Sequence, residues 1–533
     1  MTLPRTLSLC LCGFAFTAVL FASAGLTAQT KTAVTTYHYD NYRSGWNQKE
    51  TALTPASVAS TSFGVLQTIT LDDEVDAQPL VVPNLNITAG PKGKHDVVFV
   101  ATAGNTIYAI DSNTGAILLS PNFGTPVTYP LGCNNNGPNV GITGTPVIDR
   151  PNNTLYAITY SSESGGPVYR IHALDLGSLT DKVPPVVVAG SHTLTGGKTV
   201  KFNAKYQRQR PGLLMVNGNI YAAFGSFCDL SANQSRGWLL GWTKNSLTPL
   251  ASNQVLDTQA TSPDNFFLSA IWMSGYGVAA DPMGNLFFVT GNSDYSGTTY
   301  DGVTNLQESV IKVSGDLSQV LDLFTPSDEG DLDGGDTDFG AGGVMLLPHQ
   351  TGVPDLAVAA GKDGNMFLLN RNHLGGFHLT GNHVLGTFYI GGCWCGESYF
   401  VDPVDLAPRI VSSGGNSVGI WKLQTSGGVT LANIANSKGL PGQQNPGFFT
   451  SVSSNGMLNP IVWAVSHPNQ SGSPTIHLYA FDPEAGGTTL KQIRTNPAGT
   501  WPSLNANSNI VPVVANGRVF VGSYKELVIF GLL

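Results

Sequence analysis

Oxygen donors are most concentrated in Asp328-Glu-Gly-Asp331-Leu-Asp333-Gly-Gly-Asp336-Thr-Asp338, a stretch rich in the ligand type that a hard cation such as Ca²⁺ prefers. Its spacing is not that of an EF-hand loop, so it is not a self-contained calcium site, and most of it is expected to be solvated loop. The Cys393-Trp394-Cys395 triplet offers sulfur, but Cys-x-Cys with no second matched pair and no nearby His is a poor zinc pattern. His373, His378 and His383 recur every five residues, which fits neither a strand face nor a helix turn, and they are expected in loops. No Ser/His/Asp signature, phosphate-cradling loop or Cys-x-x-Cys-His haem attachment stands out. Any chemistry must be assembled from residues distant in sequence.

A strand-and-turn phrase that recurs about eight times could do the assembling. Its clearest copy runs Asp96-Val-Val-Phe-Val-Ala-Thr, then Asn105-Thr-Ile-Tyr-Ala-Ile-Asp111-Ser-Asn-Thr-Gly115-Ala-Ile-Leu. Two short apolar strands and an Asp-x-x-Thr-Gly turn make a unit that cannot bury both faces unless copies stack on it. Related phrases end at Asp175, Trp242, Val313, Asn370, Lys422, Asp482 and Phe530, with apolar strands and turns before them. The pattern predicts an all-β fold, a closed β-propeller of about eight four-stranded blades, with seven as the alternative. The last copy stops one strand early at Leu533, and the alternating segment Phe63–Leu71 is expected to supply that outer strand and close the ring. The organisation read is a leader over residues 1–28, an extension over 29–61 and the propeller over 62–533.

Composition fits this architecture: 63 Gly and 32 Pro among 533 residues, with 11% charged, suit short buried strands joined by turns. Arg5, an apolar run from Leu7 to about Leu20, and small residues through Ala28 read as a secretory signal peptide, which predicts a periplasmic or secreted protein. Cys10 and Cys12 leave with the leader, so Cys133, Cys228, Cys393 and Cys395 remain, with three possible pairings. A net charge of −9 with no Lys/Arg run gives no footprint for nucleic acid. No second apolar stretch of about 18 residues occurs, so no membrane span is expected in the mature chain.

Ala109-Ile-Asp111-Ser-Asn-Thr114-Gly115, with Leu119 four residues on, resembles the Ala-x-Asp-x-x-Thr-Gly-x-x-x-Trp docking motif of the quinoprotein propellers, which bind pyrroloquinoline quinone (PQQ). Leu119 stands where that motif has a Trp. Arg43-Ser-Gly-Trp46, Leu53-Thr-Pro55 and Phe63-Gly64 resemble the opening stretch of such propellers, and the likeness covers nearly the whole mature chain.

The resemblance to PQQ-dependent alcohol dehydrogenases implies a set of site residues. Trp272, in Ile271-Trp-Met-Ser-Gly-Tyr, would be the aromatic floor under the quinone, and Asn292, in Thr290-Gly-Asn, a calcium ligand. Ser162-Glu163-Ser-Gly resembles, to within about one residue, the stretch that supplies a Glu ligand to calcium, which makes Glu163 the candidate. Lys362, in Gly361-Lys-Asp-Gly, is the counterpart of the basic residue at the quinone oxygens. Asp301 falls where the catalytic base lies and would also reach the cation, with Asp294 its competitor in the same loop. Asp336 and Asp338 sit where the family has its Trp-Asp-x-Asp phrase. Where the dehydrogenases carry adjacent cysteines above the quinone, this chain has Cys133-Asn-Asn, and Cys393-Trp-Cys395 is a feature of its own.

Two functions follow as expectations. One is an exported dehydrogenase that oxidises an alcohol or sugar hydroxyl with PQQ and Ca²⁺ and passes electrons to a separate acceptor. The other is a non-catalytic propeller serving as a binding or assembly platform.

Overall fold

In the first repeat the Asp-x-x-Thr-Gly turn is held by its own aspartate. The Asp111 carboxylate accepts from the backbone N–H of Asn113 at 2.8 Å and of Thr114 at 3.0 Å. Gly115 N–H then bonds the Asp111 carbonyl at 2.8 Å, with φ at +75°, a conformation that costs glycine little. The flanking strands Gly93–Ala101 and Ile107–Asp111 pair antiparallel, Phe99 against Ala109, and the second is buried along its whole length. Burial on both faces is what stacked blades require and explains why the phrase is apolar without alternation.

The computed structural model describes Met1 and residues 31–533, except 136, 194–196, 198, 232–233, 253, 256–268, 294–299, 301, 303–305, 441–445, 469–472 and 503–507. Thr32–Leu533 form one unit, a propeller of eight blades. In chain order the innermost strands of blades one to eight are Leu80–Ile87, Val147–Asp149, Leu214–Val216, Ala279–Ala280, Val344–Leu346, Ser398–Val401, Phe449–Asn455 and Val513–Ala515. Every repeat end read from the sequence falls on the third strand of its blade.

The closure predicted for the ring is present. Phe63–Glu74 forms the outermost strand of blade eight, paired antiparallel with Tyr524–Leu532 from Phe63 against Leu532 to Glu74 against Tyr524. Joining the two ends of the chain in one sheet leaves no blade unpaired at an open seam.

The segment Val34–Asn47 then bonds to the innermost strand of every blade in turn. Val34 exchanges backbone bonds with Val81 of blade one, and the Thr35 carbonyl accepts from Ile148 of blade two. The Asn41 side chain donates to the Met215 carbonyl of blade three, while the Asn41 and Tyr42 carbonyls accept from Ala280 and Leu346 of blades four and five. The Ser44 and Gly45 carbonyls take Tyr399 and Val452 of blades six and seven, and Asn47 donates to Val514 of blade eight. A single loop of chain thus lines the ring from within. At its centre the fully buried Arg43 donates to the carbonyls of Val278, Leu213, Tyr37 and Asp40 and to Thr36 Oγ1. Burial lowers its pKa to about 10, which still leaves it charged at neutral pH.

Among the described residues, no helix is long and apolar enough to cross a membrane.

Candidate functional site

The loops that lead into the innermost strands, and those that join each second strand to its third, enclose a cavity of about 240 Å³ over blades three to five. Trp272 forms one wall. It sits between blades three and four, in a connection tied down by Ser274 Oγ donating to the Ala341 carbonyl at 2.6 Å and by Gly291 N–H bonding the Ala270 carbonyl at 2.9 Å. Gly291 is required by proximity: a Cβ there would lie 2.8 Å from Trp272 Nε1 and 3.0 Å from Asp338 Oδ1.

Two cations flank this indole. The Lys362 ammonium lies 5.6 Å from the Trp272 ring centre and 4.7 Å from that of Trp394, and the Arg210 guanidinium lies 5.2 Å from Trp272. Burial works against the charge on Lys362, but the Asp338 and Asp336 carboxylates more than offset it and hold its pKa above the usual value. Its ammonium pairs with Asp338 Oδ2 and, at 3.0 Å, with Asp336 Oδ1. Arg210 is fully buried, and desolvation together with the neighbouring Arg208 lowers its pKa to about 9.

Facing these cations is a group of oxygen donors. Asp338, 2% exposed, accepts from the Asn292 backbone N–H at 2.9 Å, and burial pushes its pKa up to about 6 against the pull of Lys362. Asp229, an exposed residue, accepts from Ser226 Oγ at 2.6 Å and from the Asn292 amide, and desolvation of its carboxyl raises its pKa. Glu308 accepts from Phe339 N–H at 2.6 Å and is raised well above the carboxylate range by burial and by Asp338. Asn292 Oδ1 and Glu308 Oε1 are buried without a hydrogen-bond partner. An orphaned amide and carboxylate oxygen beside carboxylates that are costly to ionise is the arrangement that a bound divalent cation would stabilise. Asp336, by contrast, is 72% exposed at the mouth.

The sequence-derived residues distribute unevenly. Trp272 and Lys362 line the cavity together, and Asn292 bonds to two carboxylates of its wall. Glu163 stands elsewhere. Strands Thr154–Glu163 and Gly166–Asp175 of blade two are ten residues each, so the hairpin runs on past the cavity and carries Glu163 to its tip, where both its oxygens pair with Arg170 at 3.0 Å. Asp301 and Asp294 lie outside the described residues. The acidic run is not all solvated: Leu332 and Asp333 are buried in the short helix Glu329–Gly334, and Asp333 accepts from Ser293 N–H.

Asp229, Arg210 and Trp394 escaped the sequence reading. Asp229 follows Cys228 in a turn where both residues have positive φ, and no motif marks it. The cysteines pair as Cys133–Cys228, which ties that turn to the loop after blade one, and as Cys393–Cys395, which brackets Trp394. Trp394 meets Trp272 edge-on at 5.2 Å.

No protein-family model and no curated protein matches the chain. Solved structures do. Quinohemoprotein alcohol dehydrogenase ADHIIG from Pseudomonas putida HK5 aligns over 94% of this chain and 80% of its own, with a TM-score of 0.59 and 12% identity. A europium-containing methanol dehydrogenase aligns over 94% of this chain and 98% of its own, with a TM-score of 0.54 and 11% identity. At these identities the likeness establishes the shared propeller fold.

Proposed function

We propose that this chain is an exported dehydrogenase that binds PQQ and Ca²⁺ in the charged cavity and oxidises an alcohol or sugar hydroxyl. The observation that carries the reading is the meeting, around one cavity, of an aromatic face, two cations and carboxylates backed by the orphaned oxygens of Asn292 and Glu308. Each part suits one feature of the pair: a planar tricarboxylate needs a stacking face and cations, and Ca²⁺ needs several hard oxygens. Two dehydrogenases among the solved structures with this fold lend support.

Trp272 would stack on the ring system, and Arg210 and Lys362 would meet its carboxylates and oxygens. Asn292 Oδ1, Asp338 and Asp229 would hold the cation, with Glu308 completing the set or hydrogen-bonding a ligand to it. Bound there, PQQ supplies a hydride acceptor and Ca²⁺ polarises it. Asp336 would take the hydroxyl proton: it and Asp229 are the cavity carboxylates open to solvent, and Asp229 would be engaged with the cation. Lys362 would restrain that carboxylate through their 3.0 Å pair and lose part of its hold on Asp338 once the cation competes. Electrons leave to a separate acceptor, since the chain has no haem-attachment motif.

The test is turnover of a panel of primary alcohols and sugars by mature protein reconstituted with PQQ and Ca²⁺, with an artificial electron acceptor. Asp336→Asn and Asp301→Asn assayed side by side identify the base, since only the true base costs turnover while PQQ affinity is kept. Failure of wild-type protein to bind PQQ would favour the platform reading.

A further inference from the structure

A second cavity, of about 420 Å³, opens between the outer strand of blade five and blade six, and its chemistry differs from the first. No charged side chain lines it. Its walls are the amides of Asn416, Asn433 and Asn436, the rings of Tyr389 and Trp421, Ile390, Ser412, Ser417 and glycine backbone. Tyr389 ends the outermost strand of blade five and is 74% exposed, more open than a tyrosine with packing duty.

The pocket is pre-shaped. Asn433 and Asn436 donate to each other's carbonyl oxygens at 3.1 and 2.6 Å, which fixes both amides and leaves each with a free N–H and a free lone pair. The glycine floor is locked by Ile390 N–H to the Gly364 carbonyl and Gly415 N–H to the Gly392 carbonyl, both at 2.8 Å. Gly391 admits no side chain, because a Cβ would meet Gly415 Cα at 2.8 Å, and its φ is +88°. Bare backbone therefore faces the pocket.

We infer that this groove is a binding site for a neutral saccharide, a mono- or disaccharide unit. Elimination carries most of the case. A phosphate, carboxylate or ammonium would be taken out of water with no counter-charge. A hydrocarbon would strand three amides without partners. A ligand with many hydroxyls and one apolar ring face satisfies both walls at once, its hydroxyls bonding amides and backbone and its C–H face lying on Tyr389. The volume falls within the range of about 300–1,000 Å³ typical of small-molecule sites. Three residues beyond Gly391, Trp394 lines the charged cavity, so one short stretch of chain contributes to both cavities. The inference needs neither PQQ nor Ca²⁺ to be correct.

Saturation-transfer NMR on the mature protein, without PQQ or calcium, tests it with glucose, galactose, maltose and cellobiose, and with glucuronate and glucose 6-phosphate as charged comparators. At least one neutral sugar should bind with a dissociation constant of about 1 mM or tighter, and neither charged comparator should match it. Tyr389→Ala should weaken that binding about tenfold, at an unchanged Tm, and Asn416→Asp should weaken it less. Absence of signal from all four neutral sugars, equal binding of the charged ones, or full affinity in Tyr389→Ala would overturn the assignment. Because cofactor binding is measured separately by absorbance, failure here and failure of the dehydrogenase reading are distinguishable.

Discussion

Two places near the axis of this propeller bury charge, and they do so in opposite ways. Around Arg43 every donor nitrogen of the guanidinium meets an acceptor, four of them main-chain carbonyls from the lining loop and from blades three and four. Around Asp338 the carboxylates crowd one another, their pKa values rise, and Asn292 Oδ1 and Glu308 Oε1 have no partner. A saturated buried charge holds structure in place. An unsaturated cluster next to a cavity is expensive unless something binds, so saturation separates architecture from site.

The largest effect expected is on turnover. On the proposed function, Asp336→Asn should lower it by about 10²–10⁴ in protein reconstituted with PQQ and Ca²⁺, the usual worth of a general base, while PQQ affinity is retained. Equal turnover would move the base to Asp301 or Asp294 and leave Asp336 a surface partner of Lys362.

On the saturated side, Arg43→Met removes donors from carbonyls of the lining loop and of two blades and should destabilise the protein by about 4 kcal/mol or more in urea unfolding. A loss under about 1 kcal/mol would show the loop to be a passenger, and the contrast between the two regions would fail.

Glu397 is the intermediate case. It is fully buried beside the Cys393–Cys395 disulfide, neither carboxylate oxygen has a partner, and burial pushes its pKa up to about 7. A carboxyl that keeps its proton longer in the folded state adds stability fully present below about pH 4.5, which is lost as pH rises through about 7. The native protein should therefore lose about 3 kcal/mol over that window from this group, and Glu397→Gln should flatten that part of the profile. Denaturant titrations at pH 4.5, 6 and 7.5 read the difference, and identical profiles would remove Glu397 from the set of unsatisfied groups.

The smallest of these effects is on cofactor affinity. Trp272→Ala should weaken PQQ binding by about 1–3 kcal/mol, the worth of a stacking face for a planar heterocycle, with calcium uptake unaffected. Loss of both together would mean that the indole supports the oxygen donors and not the ligand.

How much of this was legible in sequence follows from the physics of each element. Blade number and the closing role of Phe63–Leu71 could be read because apolar strands and an aspartate-held turn are local signals that repeat. Trp272, Asn292 and Lys362 are gathered by the propeller once its register is right, since each sits at a fixed place relative to a strand end. Glu163 was misplaced because the ten-residue strands of its hairpin carry it past the cavity, and strand length is poorly read from one sequence. Asp229 and Arg210 leave no local trace, being brought in by a disulfide across 95 residues and by the start of a blade. The lining role of Val34–Asn47 was also hidden: its bonds run to all eight blades, and none is within hydrogen-bonding reach in sequence.

The central claim is that the charged cavity holds PQQ and Ca²⁺ together. The direct measurement is a titration of purified protein with PQQ, followed by quinone absorbance and tryptophan fluorescence, in calcium and in chelator, with wild type and Asp338→Asn compared. Saturable binding that requires calcium and is weakened at least about tenfold in Asp338→Asn is the result predicted, given a charge-assisted contact of about 1.5–3 kcal/mol. No binding by wild type at PQQ concentrations of about 10–100 μM, where even a modest cofactor site fills, or binding indifferent to both calcium and Asp338, would contradict it.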